Sequence, residues 1–156
     1  MNVAAGATPK SRGGKPSNPR RRAREFVVQG LYQHFVGQQD EAAIEAQAEG
    51  VAGFDKADGE LYRSLLRESL AEQAMLQELL APHIDRAWDE VSPIERSILL
   101  LGACELRLHL ETPYRVVINE AIELAKTFGG TDGHKFVNGV LDKLAPSLRA
   151  AEIQAR

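Results

Sequence analysis

The chain has 156 residues, of which 44% are hydrophobic, and this is enough apolar material for one domain with a buried core. It has no apolar run long enough to span a bilayer and no early stretch that resembles a secretory signal, so we expect a soluble protein of the cytoplasm with no membrane partner. A single cysteine, Cys104, excludes an intramolecular disulfide and suits a reducing compartment.

Charge is distributed unevenly along the chain. Residues 1–24 carry seven lysines and arginines and no acid, whereas the remainder carries 12 basic residues against all 22 acids. An acidic body with a basic arm favours a localised contact with a polyanion over nucleic-acid binding across the whole surface. A mitochondrial transit peptide would also be basic, but the segment "ATPKSRGGKPSNP" has no hydrophobic face, which argues against that interpretation.

The first elements in chain order are a basic tail and a helix. Residues 1–18 are rich in Gly, Pro, Ser and Lys, and we expect them to be disordered. Asn18 followed by Pro19 is a helix start signal, with Asn as the N-cap and Pro at the first helical position. An apolar stripe at helical spacing then predicts a helix from residue 19 to about residue 37.

Three further helices follow in the middle of the chain. A short alanine-rich segment predicts one near residues 40–50, and Asp58 begins a long one that continues to Pro82. The segment "SPIERSILLLGACELRL" then begins with a capping box, Ser92 and Glu95, and is apolar almost all round. Such a pattern predicts a central helix that is enclosed by others.

Two helices complete the prediction. Thr112 and Pro113 begin one that ends at Gly129, and Thr131 begins the last. No segment shows the sustained alternation that is typical of a strand. The fold class is therefore all-α, a single compact helical bundle of about six to seven helices over residues 19–148, with a C-terminal tail at 149–156.

Signatures of enzymes and metal sites are missing from the sequence. The four histidines are far apart and form no metal-binding pair, so we expect no metal and no cofactor. The segment "GGTDGHK" lacks the spacing of a phosphate-binding loop and is better explained as a connection between helices. Cys104 lies in the apolar central helix, where cysteine usually acts as a small hydrophobe. We therefore expect a protein that is not an enzyme.

Three carboxylates need an explanation of their own. Helical geometry places Glu105 on an apolar side of the central helix, where it is either a catalytic base or, more often, the partner of an arginine. Glu120 and Glu123 share a polar helix face. They could be an acid pair, but a solvated face is the better explanation without a histidine or metal ligand nearby.

The arginines at the start of the first helix are harder to explain as a solubilising run. Arg20, Arg21 and Arg22 lie in or beside its first turn, where the helix dipole disfavours each cation by about 0.3–1 kcal/mol. A phosphate backbone would offset this cost. Arg21, Gln29 and Tyr32 project opposite the apolar stripe. They offer an arginine for phosphates, an amide for base edges and a ring for stacking, as on single-stranded RNA.

Three longer motifs carry a resemblance to a known family. The segments "RRRAREFVVQGLYQ", "PYRV" and "INEAIELAKTFGGTDGHKFVNGVLDKLAP" resemble the bacterial transcription antitermination factor NusB, over residues 20 to about 146. The resemblance implies an all-helical protein that forms a heterodimer with NusE, a small-subunit ribosomal protein. It also implies binding to boxA RNA and, indirectly, to RNA polymerase and other Nus factors during transcription of ribosomal RNA operons.

The resemblance also implies roles for individual residues. The resemblance implies RNA contact by the arginines at the start of the first helix and by three residues further along the chain. These residues are Arg20, Arg21, Arg22 and Arg24, and then Tyr32, Lys135 and Phe136. Contact with NusE falls on three residues, Glu95, Asp132 and His134. His83 stands where some family members have tyrosine, so no stacking role is assigned to it.

Two alternatives stay open at this point. NusB-like domains also occur fused to RNA methyltransferases, so the chain could be an accessory module for an RNA-modifying enzyme, although it has no room for a cofactor-binding domain. A homodimer that hides the basic arm is a further alternative, since family members differ in this respect.

Overall fold

The computed structural model describes residues 18–155, and within this range the chain forms eight α-helices joined by short loops and 3₁₀ turns. The helices are α1 Pro19–Gly37, α2 Glu41–Glu49, α3 Gly59–Ala71, α4 Gln73–Leu80, α5 Pro93–Leu108, α6 Tyr114–Phe128, α7 Gly133–Leu148 and α8 Ala150–Gln154. The predicted all-α bundle is confirmed. The predicted disordered tail, residues 1–18, lies outside the described residues except for Asn18.

The described helices number eight, against the six to seven that we predicted, for two reasons. The single helix predicted from Asp58 to Pro82 is two helices, because the backbone of Glu72 leaves the helical range at φ −101° and ψ 16°. Residues 149–156, which we expected to form a C-terminal tail, contain the short helix α8. No glycine or proline marks the break at Glu72 in the sequence.

Several predicted helix starts have the expected cap. The side chains of Asn18, Asp58 and Ser92 each accept a hydrogen bond from a backbone N–H of the first helical turn, at 2.8, 3.1 and 3.2 Å. Such caps satisfy one of the orphan donors at a helix start and contribute about 1 kcal/mol each. Thr112 and Thr131 make no such bond, since α6 and α7 begin without a side-chain cap.

Helix α5 is the centre of the bundle, as its apolar sequence predicts. Ten consecutive residues from Ser97 to Leu106 are buried, and α5 packs against α1, α3, α4, α6 and α7. At Gly102 the helices approach so closely that a Cβ would lie 2.8 Å from a methyl group of Leu141 on α7. Glycine therefore permits the tight packing of α5 on α7 at this point.

The start of α8 is bound to the end of α5. The guanidinium of Arg149 is buried and donates to the carbonyl oxygen of Leu106 at 2.7 Å and to that of Thr112 at 3.0 Å. Arg149 also pairs with Glu152, whose carboxylate accepts from the first N–H of α6, that of Tyr114, at 2.9 Å. The C-terminal segment thus fixes the connection between α5 and α6.

Candidate nucleic-acid interface

The start of α1 carries the arginines on which the sequence analysis concentrated. Asn18 caps the helix, Pro19 occupies its first position, and the first turn contains no acidic residue. The positive end of the helix dipole therefore lies beside several cations, and no acid in the same turn offsets their repulsion. The compensating acids lie on other helices. They pair closely with two of the four arginines and leave the other two without a close partner.

Arg21 is held by an acid of α6. Its Nε and Nη2 donate to the two carboxylate oxygens of Glu120 at 3.0 and 2.6 Å, and the two side chains are only 16% and 15% exposed. The hydrogen bond to Glu120 raises the pKa of Arg21. Our interpretation of Glu120 as a member of a solvated face is wrong, because this bidentate pair joins α1 to α6.

Arg24 lies deeper. It donates from Nε and Nη2 to the carboxylate of Glu105 on α5 at 2.8 and 2.9 Å, and both residues are nearly fully buried. Burial alone lowers the pKa of Arg24, but the hydrogen bonds and charge of Glu105 outweigh it and raise the pKa. The expectation that Glu105 is paired with an arginine is confirmed. Its partner is a residue that we had assigned to RNA contact, and this guanidinium does not reach the surface.

Arg20 and Arg22 form the second group, in which neither guanidinium has a close acidic partner among the described residues; Arg20 is exposed and Arg22 is half-buried. The side chain of Arg20 is 50% exposed and lies 3.9 Å from the carboxylate of Asp58, a separation that contributes little in water. Arg22 makes no ion pair with any residue in the part of the chain that the structure describes. It lies across Gly53, which has φ +92° and where a Cβ would approach Nη1 to 3.1 Å. These two guanidinium groups remain available to an anion.

Gln29 and Tyr32 continue the surface of α1. Both are half-buried. Arg21 and Glu25 line a small depression with Glu120 and Thr127 of α6. At a rise of about 1.5 Å per residue, Gln29 lies about 12 Å along the helix axis from Arg21. The polar side of α1 therefore extends from the arginines through Gln29 to Tyr32.

The remaining predicted residues meet at the start of α7. A Cβ on the buried Gly133 would lie 2.9 Å from Oε2 of Glu95, so the first turns of α5 and α7 are in contact. Asp132 and Lys135 are 73% and 74% exposed, with 3.5 Å between carboxylate and ammonium. His134 and Phe136 are half-buried. The structure thus brings Glu95 together with this group.

Four residues beside this group were not predicted from the sequence. The guanidinium of Arg86, in the loop before α5, lies 4.5 Å from the ring centroid of Phe136. Arg96 lies over the ring of Phe35 at 4.9 Å, and Trp88 packs edge-on against that ring. The only signal in the sequence was an arginine and a tryptophan in one loop, and nothing there indicates that this loop faces α7.

Cys104 and the acids give no catalytic arrangement in the described part of the chain. Burial raises the pKa of the Cys104 thiol to about 12, so it is not a thiolate at neutral pH, as its assignment to the core predicts. Residues 18–155 contain no group of three or more His, Cys, Asp or Glu that could hold a metal ion. Within the same range no helix is long and apolar enough to cross a membrane.

Comparison with known proteins identifies the family. Residues 21–146 match the NusB family. The chain is 59% identical over 141 residues to the transcription antitermination protein NusB of Dechloromonas aromatica (strain RCB), covering 90% of this chain and 86% of that protein. It is 56% identical over 137 residues to the protein of the same name from Burkholderia cenocepacia (strain HI2424), covering 88% of this chain and 94% of that one.

Solved structures agree in fold. A crystal form of T. maritima NusB matches with a TM-score of 0.76 at 29% identity, over 89% of this chain and 99% of that one. A second structure, of the antitermination factors NusB and NusE in complex with dsRNA, matches with a TM-score of 0.69 at 20% identity, over 81% of this chain and 96% of that one. On the extent of these matches, the chain belongs to the NusB family.

Proposed function

We propose that this chain is a transcription antitermination factor that binds RNA together with NusE. The observation that carries the proposal is its similarity to relatives named transcription antitermination protein NusB, at 56–59% identity over 86–94% of their length. The structural neighbour that combines NusB, NusE and dsRNA supports the same partners. The RNA is boxA in the nascent transcript of ribosomal RNA operons, and RNA polymerase and other Nus factors are reached indirectly.

In this proposal the two groups of arginines have different tasks. Arg20 and Arg22, which have no close acidic partner in the described range, bind RNA phosphates. Arg21 and Arg24 bind Glu120 and Glu105 instead and hold the start of α1 against α6 and α5. Because the helix start is rigid, less conformational entropy is lost when RNA binds. This division revises our expectation that all four arginines contact RNA.

The surface continues along α1 to α7. Gln29 and Tyr32 contact RNA bases, and Lys135 and Phe136 extend the contact at the start of α7. Glu95, Asp132 and His134 contact NusE, since they lie at the meeting point of α5 and α7 where a second protein can adjoin the RNA. The protein acts in the cytoplasm as a non-catalytic adaptor.

The alternative of an accessory module for an RNA-modifying enzyme is less well supported. The relatives that carry the antitermination name are matched over nearly their whole length, so their function does not depend on a further domain. Methyl transfer to RNA by the purified chain would favour the alternative.

The test is fluorescence anisotropy with a short boxA-like RNA, a scrambled RNA of the same length and a duplex, each measured with and without NusE. We expect preference for single-stranded boxA, tightened by NusE. Equal binding of boxA and scrambled RNA that depends only on salt, with no effect of NusE, would refute the proposal. Sedimentation at several concentrations tests the homodimer separately.

A further inference from the structure

The loop between α4 and α5 carries an arginine across the start of α7. The guanidinium carbon of Arg86 lies 4.5 Å from the ring centroid of Phe136, within the range of a cation–π contact. Nε of the same guanidinium donates to the carboxylate of Asp85 at 2.9 Å, and the side chain is 40% exposed. Its inner face and one of its donors are therefore used within the protein.

The outer side of this guanidinium remains open. Arg86 has five N–H donors, of which Asp85 takes the one on Nε, so the two terminal amino groups have no partner among the described residues. A base that stacked directly on Phe136 on this side would first have to displace Arg86. A base that stacked on the outer face of Arg86 would displace nothing, and bases stack on arginine planes as they do on aromatic rings.

A second stack of the same kind holds the loop. Trp88 lies two residues after Arg86, and its ring meets that of Phe35 edge-on, with 6.2 Å between centroids. Arg96 of α5 covers Phe35 at 4.9 Å. Trp88 ties the loop to α1, and Ile84, two residues before Arg86, also packs against the core, so the backbone that carries Arg86 is anchored on both sides.

The neighbouring charge suits a phosphate. Lys135 directly precedes Phe136 on α7, and its ammonium is paired, among the described residues, only with Asp132 at 3.5 Å, where both side chains are about three-quarters exposed. An ion pair this exposed contributes little, so Lys135 can turn to another anion at small cost. An exposed cation for a phosphate thus lies one residue from the ring that carries Arg86.

We propose that Arg86 contacts RNA directly: its guanidinium, held over Phe136 and oriented by Asp85, receives one unpaired base on its outer face, while Lys135 binds the adjoining phosphate. Phe136 is then a positioning residue that acts through Arg86, and this role replaces the direct RNA contact that the proposed function gives it. This inference rests on the proposed function and adds a base-binding position to its RNA surface.

The test compares Arg86→Lys with Arg67→Lys in the anisotropy assay with boxA-like RNA. Arg67 is an exposed arginine of α3 that makes no ion pair in the described range, so it controls for the exchange itself. Lysine keeps the charge and loses the plane. We expect Arg86→Lys to bind about 5- to 10-fold more weakly with an unchanged salt slope, and Arg67→Lys to bind within about twofold of the parent.

A second variant tests the stack. Phe136→Leu removes the ring beneath Arg86, and we expect a similar loss that does not add to the loss from Arg86→Lys in the double variant, because both changes remove one unit. Thermal unfolding of each variant shows that the loop change leaves the fold intact. Full additivity, or wild-type binding by Arg86→Lys, would overturn the inference.

Arg22→Ala, measured in the same series, separates the two proposals. If Arg22→Ala weakens binding and Arg86→Lys does not, Arg86 has no base-binding role and the proposed function stands. If neither change affects RNA affinity, the RNA surface itself is wrong. Loss of NusE affinity by Arg86→Lys with unchanged binding to RNA alone would overturn the inference and assign the loop to the protein partner.

Discussion

Replacement of Arg149 by methionine should destabilise the bundle strongly. The guanidinium is 3% exposed, and it donates at 2.7–3.1 Å to four backbone carbonyls, those of Glu105, Leu106, His109 and Thr112. These oxygens lie at the end of α5 and in its connection to α6, where the helix leaves acceptors without partners. Methionine has a similar length but donates no hydrogen bond.

The size of the effect follows from the acceptors left behind. Glu105 and His109 also accept backbone bonds, from the N–H groups of His109 and Thr112. Leu106 and Thr112 have no other backbone donor in the described range. Two buried carbonyls without a partner cost about 1–3 kcal/mol each, so we expect a loss of about 4 kcal/mol. For a domain of this size the Tm should fall by roughly 8–16 °C.

The assay is thermal and urea unfolding followed by circular dichroism. Glu152→Gln is the matched control, because the side chain of Glu152 is 33% exposed and glutamine can still accept from the N–H of Tyr114. We expect it to cost less than Arg149→Met, because the guanidinium keeps its four carbonyl acceptors. A Tm within about 3 °C of the parent for Arg149→Met would refute the reasoning, since the carbonyls would then be satisfied without the guanidinium.

Two further predictions concern buried charge. Arg24→Met should cost about 3–5 kcal/mol because it leaves the Glu105 carboxylate buried and unpaired, and addition of Glu105→Leu should recover most of the loss in urea unfolding. Burial lowers the pKa of His109, but the hydrogen bonds that its ring donates to the carboxylates of Glu68 and Glu111 outweigh it and hold the pKa above 6.5. The imidazolium therefore stabilises the fold below about pH 6.5, and this contribution is lost as the pH rises through the raised pKa, so the Tm advantage over His109→Gln should shrink between pH 6 and pH 9. An advantage independent of pH would contradict this assignment of charge.

The helix starts and the central helix could be predicted because their signals are local. Asn18 with Pro19, and Ser92 with Pro93, are caps that act within four residues, and they appear where the sequence places them. The apolar sequence of α5 likewise predicts a buried helix without any knowledge of which helices surround it. By contrast, the break at Glu72 has no glycine or proline to mark it in the sequence.

The candidate site could be predicted only in part, because its decisive contacts are remote in sequence. Arg21 and Arg24 looked like free cations, yet their partners lie 99 and 81 residues away. The expectation that Glu105 has an arginine partner was correct, but periodicity on one helix cannot say which arginine. Arg86 has the same limitation, since its contact with Phe136 depends on how α7 packs beside the loop.

The central claim is that Arg20 and Arg22 bind RNA phosphates, and the salt dependence of RNA affinity tests it most directly. We would measure log Kd against log salt concentration for the parent protein, for Arg20→Ala with Arg22→Ala, and for Arg67→Ala as the control. The account predicts weaker binding and a slope shallower by about 0.7 for each lost contact in the double variant, and an unchanged slope in the control. Identical slopes in the double variant and the parent would contradict it.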